Sequence, residues 1–379
     1  MKYLYIFFPV LFALFLLKGN AQDSINFQAQ LSGNIHWNPK NKLAWWNGGR
    51  IIPQLNYEHK LQPGKQIDFE ASANLFGNAG FEPFDSSSFN GKVKPYRLWV
   101  RYSTRQLEIR VGLQKINFGS ASILRPLMWF ELVDPRDPLK LTDGVWGVLA
   151  RYYFLNNANI WLWGLYGNRN LKGWEIFETR NKVPEFGSRV QVPVPKGETG
   201  FSYHHRMTDP STFSDSSFAF NRVPENRFGF DVKLDVVVGC WFEGSWSIYN
   251  KDMGKNSNQK IFNLGMDYTF GLGNGFTLIL EQLIASYSEK SFDFKNTAIF
   301  SLFTMSYPMG LFYNLSGIIY YDWTNNSVYN FLNLQRQFNR FTLYLMGYIN
   351  PVKYNIPTQT YGEILYAGSG IQLMAVLNL

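Results

Sequence analysis

Four arginines of this 379-residue chain, Arg97, Arg101, Arg110 and Arg151, fall in three neighbouring stretches where apolar and polar residues alternate. Alternation places every second side chain on one face of a strand, so Leu98, Val100 and Tyr102 on one face turn Arg97 and Arg101 to the other. By the same rule Leu107, Ile109, Val111 and Leu113 turn Glu108, Arg110 and Gln114 to the polar face, and Val148, Ala150, Tyr152 and Phe154 do this for Arg151. Between the second and third stretches runs segment 114–144, with Arg125, Glu131, Asp134, Arg136, Asp137 and Lys140 set among Leu124, Leu127, Met128, Trp129, Phe130 and Leu132. Guanidinium groups on a wall opposite carboxylates on a loop would set a transverse field across a narrow aqueous passage, focused by low-dielectric walls. Such a field orients dipolar or anionic solutes and breaks no bonds. The competing reading is that these arginines pair with Asp68, Glu70, Glu108 and the loop acids and simply hold the wall together.

Residues suited to covalent chemistry are sparse. The histidines are His36, His59, His204 and His205; the last two are adjacent, point to opposite faces of a strand, and cannot share a metal ion. Ser202 lies two residues from His204 on the same face, the one pairing from which a lipid-cleaving dyad could be built. A single cysteine, Cys240, excludes a disulfide framework and any multi-cysteine zinc site. The chain is therefore read as non-enzymatic, with no metal and no cofactor.

The elements that position these residues are strands. Lys2, the apolar run Tyr3 to Leu17 and the small residues Gly19-Asn20-Ala21 have the form of a secretory signal peptide over 1–21, cut before Gln22. Beyond it no apolar run approaches the 18 or so residues of a helical span. Strict alternation recurs instead, as in Ile25 to Trp37, Ile67 to Leu75 and Phe228 to Val236. It also reconciles 46% hydrophobic and 18% aromatic residues with a mean hydropathy of −0.19. Loss of Lys2 and Lys18 with the signal lowers the formal charge from +8 to +6, a mild excess without basic runs, so nucleic acid is not a partner.

Read in order, the alternating stretches number about 18 between residues 25 and 379; sixteen is the competing count, because Val148 to Gly164 and Thr277 to Tyr287 are apolar on both faces. Connections after odd-numbered strands are long (38–49, 77–91, 114–144, 208–224) and those after even-numbered strands are short (61–65, 103–104, 195–198, 308–309). A soluble sandwich has no reason to sort its loops; a transmembrane antiparallel β-barrel with long extracellular loops and short periplasmic turns does so by construction. The expectation is an all-β barrel, one domain over 22–379, whose third extracellular loop, 114–144, folds inward because its apolar residues would be costly to leave in water.

The last strand, with Ile371, Leu373, Ala375, Leu377 and Leu379 on one face, resembles the terminal strand of Gram-negative outer-membrane porins, with Leu379 where an aromatic is usual. The segment 112–137, with Gly112, Gln114, Phe118-Gly119, Pro126, Phe130 and Asp134-Pro135-Arg136-Asp137, resembles a stretch of alginate-export-type barrels. The resemblance implies an outer-membrane location, contact with outer-membrane lipid, delivery by the barrel-assembly machinery, and passive diffusion of small hydrophilic solutes, anionic or sugar-like. The pore-lining set expected is Arg97, Arg101, Glu108, Arg110, Gln114, Arg125, Glu131, Asp134, Arg136, Asp137 and Arg151, with Trp99, Trp161 and Tyr249 as surfaces on which a sugar ring could stack. Two other readings compete: a non-conducting barrel for surface or capsule assembly, and an outer-membrane lipid-modifying enzyme.

Overall fold

A computed structural model describes residues 23–83, 85–212, 221–352 and 365–379; the signal-peptide reading of 1–21 lies outside them. The strands are β1 (Asp23–Trp37), β2 (Trp45–Gln62), β3 (Lys65–Phe81), β4 (Ser87–Ser103), β5 (Leu107–Gln114), β6 (Val145–Tyr153), β7 (Asn159–Leu165), β8 (Glu178–Thr179), β9 (Glu185–Val194) and β10 (Gly197–Asp209). They continue as β11 (Val223–Asp235), β12 (Gly239–Tyr249), β13 (Asn258–Phe270), β14 (Phe276–Ser288), β15 (Asn296–Met309), β16 (Tyr313–Asp322), β17 (Ser327–Gln337), β18 (Phe341–Ile349) and β19 (Ser369–Asn378). Each pairs antiparallel with its neighbours in sequence, except that β7 pairs directly with β9. The two-residue β8 only adds to the loop-side end of β10. The wall thus has 18 strands, not sixteen.

Closure comes from β1 against β19, in register from Gln30↔Asn378 to Trp37↔Ile371. Leu379 exchanges two backbone hydrogen bonds with Ala29, so the final residue belongs to the seam. A closed sheet has no free edge, which is the only way a sheet can satisfy its backbone away from water.

Connections are sorted between the rims. The connections after β1, β3, β5, β7, β10, β12, β14, β16 and β18 leave from one rim, 115–144 and 166–184 among them; the other rim carries 63–64, 104–106, 154–158, 195–196, 236–238, 271–275, 310–312 and 338–340. The loops 38–44 and 82–86 are shorter than the sequence suggested because β2, β3 and β4 run on past the others as a tall wall.

Outside, the barrel is apolar: Phe27, Ile35, Val100, Val148, Phe201, Leu264 and Leu373 are all exposed. Such a belt belongs in lipid. The alternating phase holds in β19, where Ile371 and Leu373 are exposed while Gln372, Met374 and Val376 are buried. Trp37, Trp45, Trp146 and Tyr152 lie on the outer face, but Trp163, Trp241 and Tyr320 are buried inside, being one residue out of step with the outward set. Leu113, expected outside, is buried too; the outward series of β5 stops at Val111, next to Gly112, whose φ of 124° breaks the regular strand.

The two stretches with apolar residues on both faces have one cause. Val148 and Leu162 face out, while Leu149, Trp163 and Leu165 pack inside against Ile116, Phe118 and Phe130 of the loop 115–144. Leu280 faces out, while Leu283 and Ala285 pack inside with Leu124 of the same loop. A strand is apolar on its inner face where a loop covers it.

Candidate functional site

The loop 115–144 crosses the barrel from β5 to the opposite wall, where two carboxylates hold its backbone. Glu243, on the inner face of β12, accepts hydrogen bonds from Ala121 N (2.8 Å) and Leu127 N (2.6 Å). Glu281, on β14, accepts from Ser122 N (2.8 Å), Ile123 N (3.1 Å) and Leu124 N (2.7 Å). Asn263 between them donates to Leu124 O, and Trp129 Nε1 donates to Ser245 Oγ. Gly119 makes this approach feasible: its φ is 105°, and a Cβ there would stand 2.5 Å from Glu243 Oε2.

A second loop, 166–184, folds in behind the first. Glu175 is clamped between Arg206 (3.1 Å) and Arg227 (2.9 Å), and both arginines also bind Glu225. All four are buried, and their charges balance. Removing one partner of such a group costs about 3–5 kcal/mol because the others stay buried and unpaired. Trp174 Nε1 donates to Arg125 O, tying the two loops together. His204 accepts from Trp163 Nε1 and faces Glu185 at 3.3 Å, while Ser202 accepts from Arg189, so His204 and Ser202 do not form a dyad. Among the described residues no group of His, Cys, Asp or Glu is arranged to hold a metal ion.

The residues singled out from the sequence separate into three groups. Arg101, Arg110 and Arg151 converge on Glu108, at 3.8, 3.0 and 3.8 Å, and Arg101 also binds Asp68 at 2.8 Å. These arginines pair with wall acids, not with acids of the loop. Arg125, Asp134, Arg136 and Asp137 line a cavity of about 530 Å³ on the long-loop side of the barrel. Arg97, Gln114 and Glu131 serve as ties. Arg97 donates to Thr142 O, Gln114 is fully buried with its amide on the carbonyls of Arg110 and Gly147, and Glu131 is buried between Lys115 and Arg125. The aromatic faces proposed for sugar stacking are taken: Arg110 sits 4.6 Å over Trp99, Arg151 3.8 Å over Trp161, and Tyr249 packs on Phe177.

The interior is therefore divided. Inward side chains of β9 to β12, such as Arg189, Arg206, Asp231 and Glu243, are buried under the two loops. Those of β2, β3, β16 and β17, such as Gln54, Asn56, Glu70, Ser316, Asn333 and Gln335, keep partial exposure, with Arg101, Arg110 and Arg151 beside them. An 18-strand wall is too wide for its own side chains to fill, and among the described residues the loops 115–144 and 166–184 fill the side of β9 to β12.

An apolar exterior, a closed wall of 18 strands, sorted rims and an inward loop decide the fold. It is the fold of the outer-membrane porins. The chain is similar to an anion-selective porin from Comamonas acidovorans, with 13% identity, coverage of 94% of this chain and all of that one, and a TM-score of 0.50. It is also similar to OccAB4 of Acinetobacter baumannii (12% identity, 96% and 100% covered, TM-score 0.59) and to OccAB1 of the same organism (8%, 95% and 96%, 0.55). No protein-family model matches the chain, and no curated protein does. Within this porin fold the sequence pointed to the arginine sector and the loop, but not to the residues that hold the loop, Glu243 and Glu281, or to the Glu175 clamp.

In the cavity the lining carries seven Lys or Arg against three Asp. Burial pushes the Asp137 carboxyl above the usual carboxylate range, against main-chain donors and the pull of Arg50. The vestibule is electropositive by composition.

Proposed function

We propose that the chain is an outer-membrane channel for passive diffusion of small hydrophilic solutes, with a preference for anions. In this reading residues 1–21 direct export, the short turns face the periplasm, and the barrel-assembly machinery inserts the protein into the outer membrane. The observation that carries the proposal is the divided interior: partly exposed polar side chains on β2, β3, β16 and β17 share it with the arginine sector of β4 to β6 and with a basic vestibule. Solute crosses beside the loop 115–144, with the wall arginines drawing anions in and the packed half narrowing the way. The porin-like fold supports this, and among the solved structures of that fold is an anion-selective porin. Liposomes containing the purified protein should swell in isosmotic solutions of small sugars and organic acids, faster for monosaccharides than for trisaccharides. Equal rates in protein-free liposomes would overturn the proposal.

One observation favours a second reading. Two loops and a buried ion network occupy one side of the lumen, as they would in a non-conducting surface-assembly barrel. Such a barrel would produce no swelling with any solute. A lipid-modifying role has less support, since His204 and Ser202 are each engaged elsewhere.

A further inference from the structure

The tall wall formed by β2, β3 and β4 presents an inner grid whose residues belong to no group described so far. Register places Arg50 opposite Phe76 and Phe76 opposite Lys92 in one row, and Asn74 opposite Lys94 in the next. All five face inward, and the four polar ones line the vestibule cavity. Arg50 Cζ stands 5.6 Å and Lys94 Nζ 5.5 Å from the centre of the same Phe76 ring, so the two cations are gathered round one apolar platform.

Their bonding is incomplete. Lys94 is held by Asp143, but Arg50 and Lys92 form no ion pair among the described residues, and Arg50 Nε is a buried donor without a partner. Asn74 is only 4% exposed, yet its Oδ1 has no hydrogen-bond donor among the described residues. An orphaned amide oxygen costs free energy unless something donates to it. Asn74 stands in the wall of a cavity of about 530 Å³, the size of a small-molecule site.

We infer that this grid is a binding site for a small hydroxylated organic anion of monosaccharide size. Arg50 and Lys92 receive its carboxylate or phosphate, and Asn74 Oδ1 accepts a hydrogen bond from one of its hydroxyls. Phe76, outside the cavity wall, gathers Arg50 and Lys94 at its ring and so holds the two cations in place. A plain carboxylate would satisfy the cations and leave Asn74 orphaned; a neutral sugar would do the reverse. Binding therefore requires both features. The inference deepens the channel reading by naming a solute class, but equilibrium binding reads it separately from conduction.

Isothermal titration of the full-length mature barrel in detergent is the test, with gluconate, glucose 6-phosphate, glucose and hexanoate as probes. Gluconate, glucose 6-phosphate or both should bind at one saturable site, at least about tenfold tighter than glucose or hexanoate; which of the two binds tighter tells carboxylate from phosphate. Asn74→Leu should bring the hydroxylated anion down to the level of hexanoate without changing hexanoate itself. Lys92→Gln, at an exposed side chain whose loss does not threaten folding, should weaken both anions and leave glucose unchanged. Gluconate and glucose 6-phosphate both binding no better than hexanoate, or binding unaltered in Lys92→Gln, would overturn the inference. Conductance of the unmodified barrel with no such binding would leave the channel reading standing alone.

Discussion

Arg101, Arg110 and Arg151 share the single carboxylate of Glu108, with Asp68 on Arg101, so positive charge exceeds negative in this sector once Arg97 is counted. Pairing does not cancel the field of a cluster with unequal numbers; it lowers and localises it. The joint substitution Arg97→Gln, Arg101→Gln and Arg110→Gln leaves Asp68, Glu70 and Glu108 facing Arg151 alone, and the reversal potential in a salt gradient should move toward cation preference. An unmoved potential would remove the arginine sector from the selectivity account. Asp137 supplies a pH dependence of defined sign. Its carboxyl titrates above the ordinary range because it is buried, so acidification through that range removes one negative charge beside Arg50. Anion preference should therefore rise as pH falls, and Asp137→Asn should hold it at the acidic value at every pH; reversal potentials measured across pH check this. The arginines could be phased from sequence because their neighbours alternate cleanly. Glu243, Glu281, Glu175 and Arg206 could not, because an inward charge on an alternating strand reads the same whether water or a loop covers it.

At the scale of elements, two carboxylates make five of the hydrogen bonds that hold the loop 115–144 to the far wall. A hydrogen bond within a protein contributes about 0.5–1.5 kcal/mol net, and Glu243 and Glu281 together accept these five from loop backbone. Glu243→Gln with Glu281→Gln should free the loop, raising single-channel conductance and adding flickering, while the barrel keeps its resistance to unfolding in detergent at room temperature. Unchanged conductance would mean that the apolar packing of Phe118, Trp129 and Phe130 suffices to hold it. The inward course of this loop was legible in its apolar residues, and its contact sites had a further signal. The strands apolar on both faces, around Leu149 to Trp163 and Leu283 to Ala285, are the ones it packs against. The second inward loop, 166–184, had no comparable signal: Glu175, Phe177 and the short β8 hold it through partners on β10, β11 and β12 that alternation does not single out.

For the whole molecule, the strand number of about 18, the rim sorting and most of the phase were readable from the sequence, because lipid-facing and interior side chains differ along most of a single-layer wall; Leu113 and the two stretches apolar on both faces are where that contrast fails. What the one-dimensional pattern does not carry is how much of an 18-strand interior is left to water, since that depends on loops whose contacts are remote in sequence. The central claim is that one side of that interior remains an aqueous, electropositive path. Planar-bilayer recording of the purified full-length protein tests it most directly. Discrete, ohmic conductance steps are expected, with a reversal potential favouring chloride over potassium in a salt gradient. A barrel that inserts but gives no steps would contradict it and establish a sealed barrel in its place.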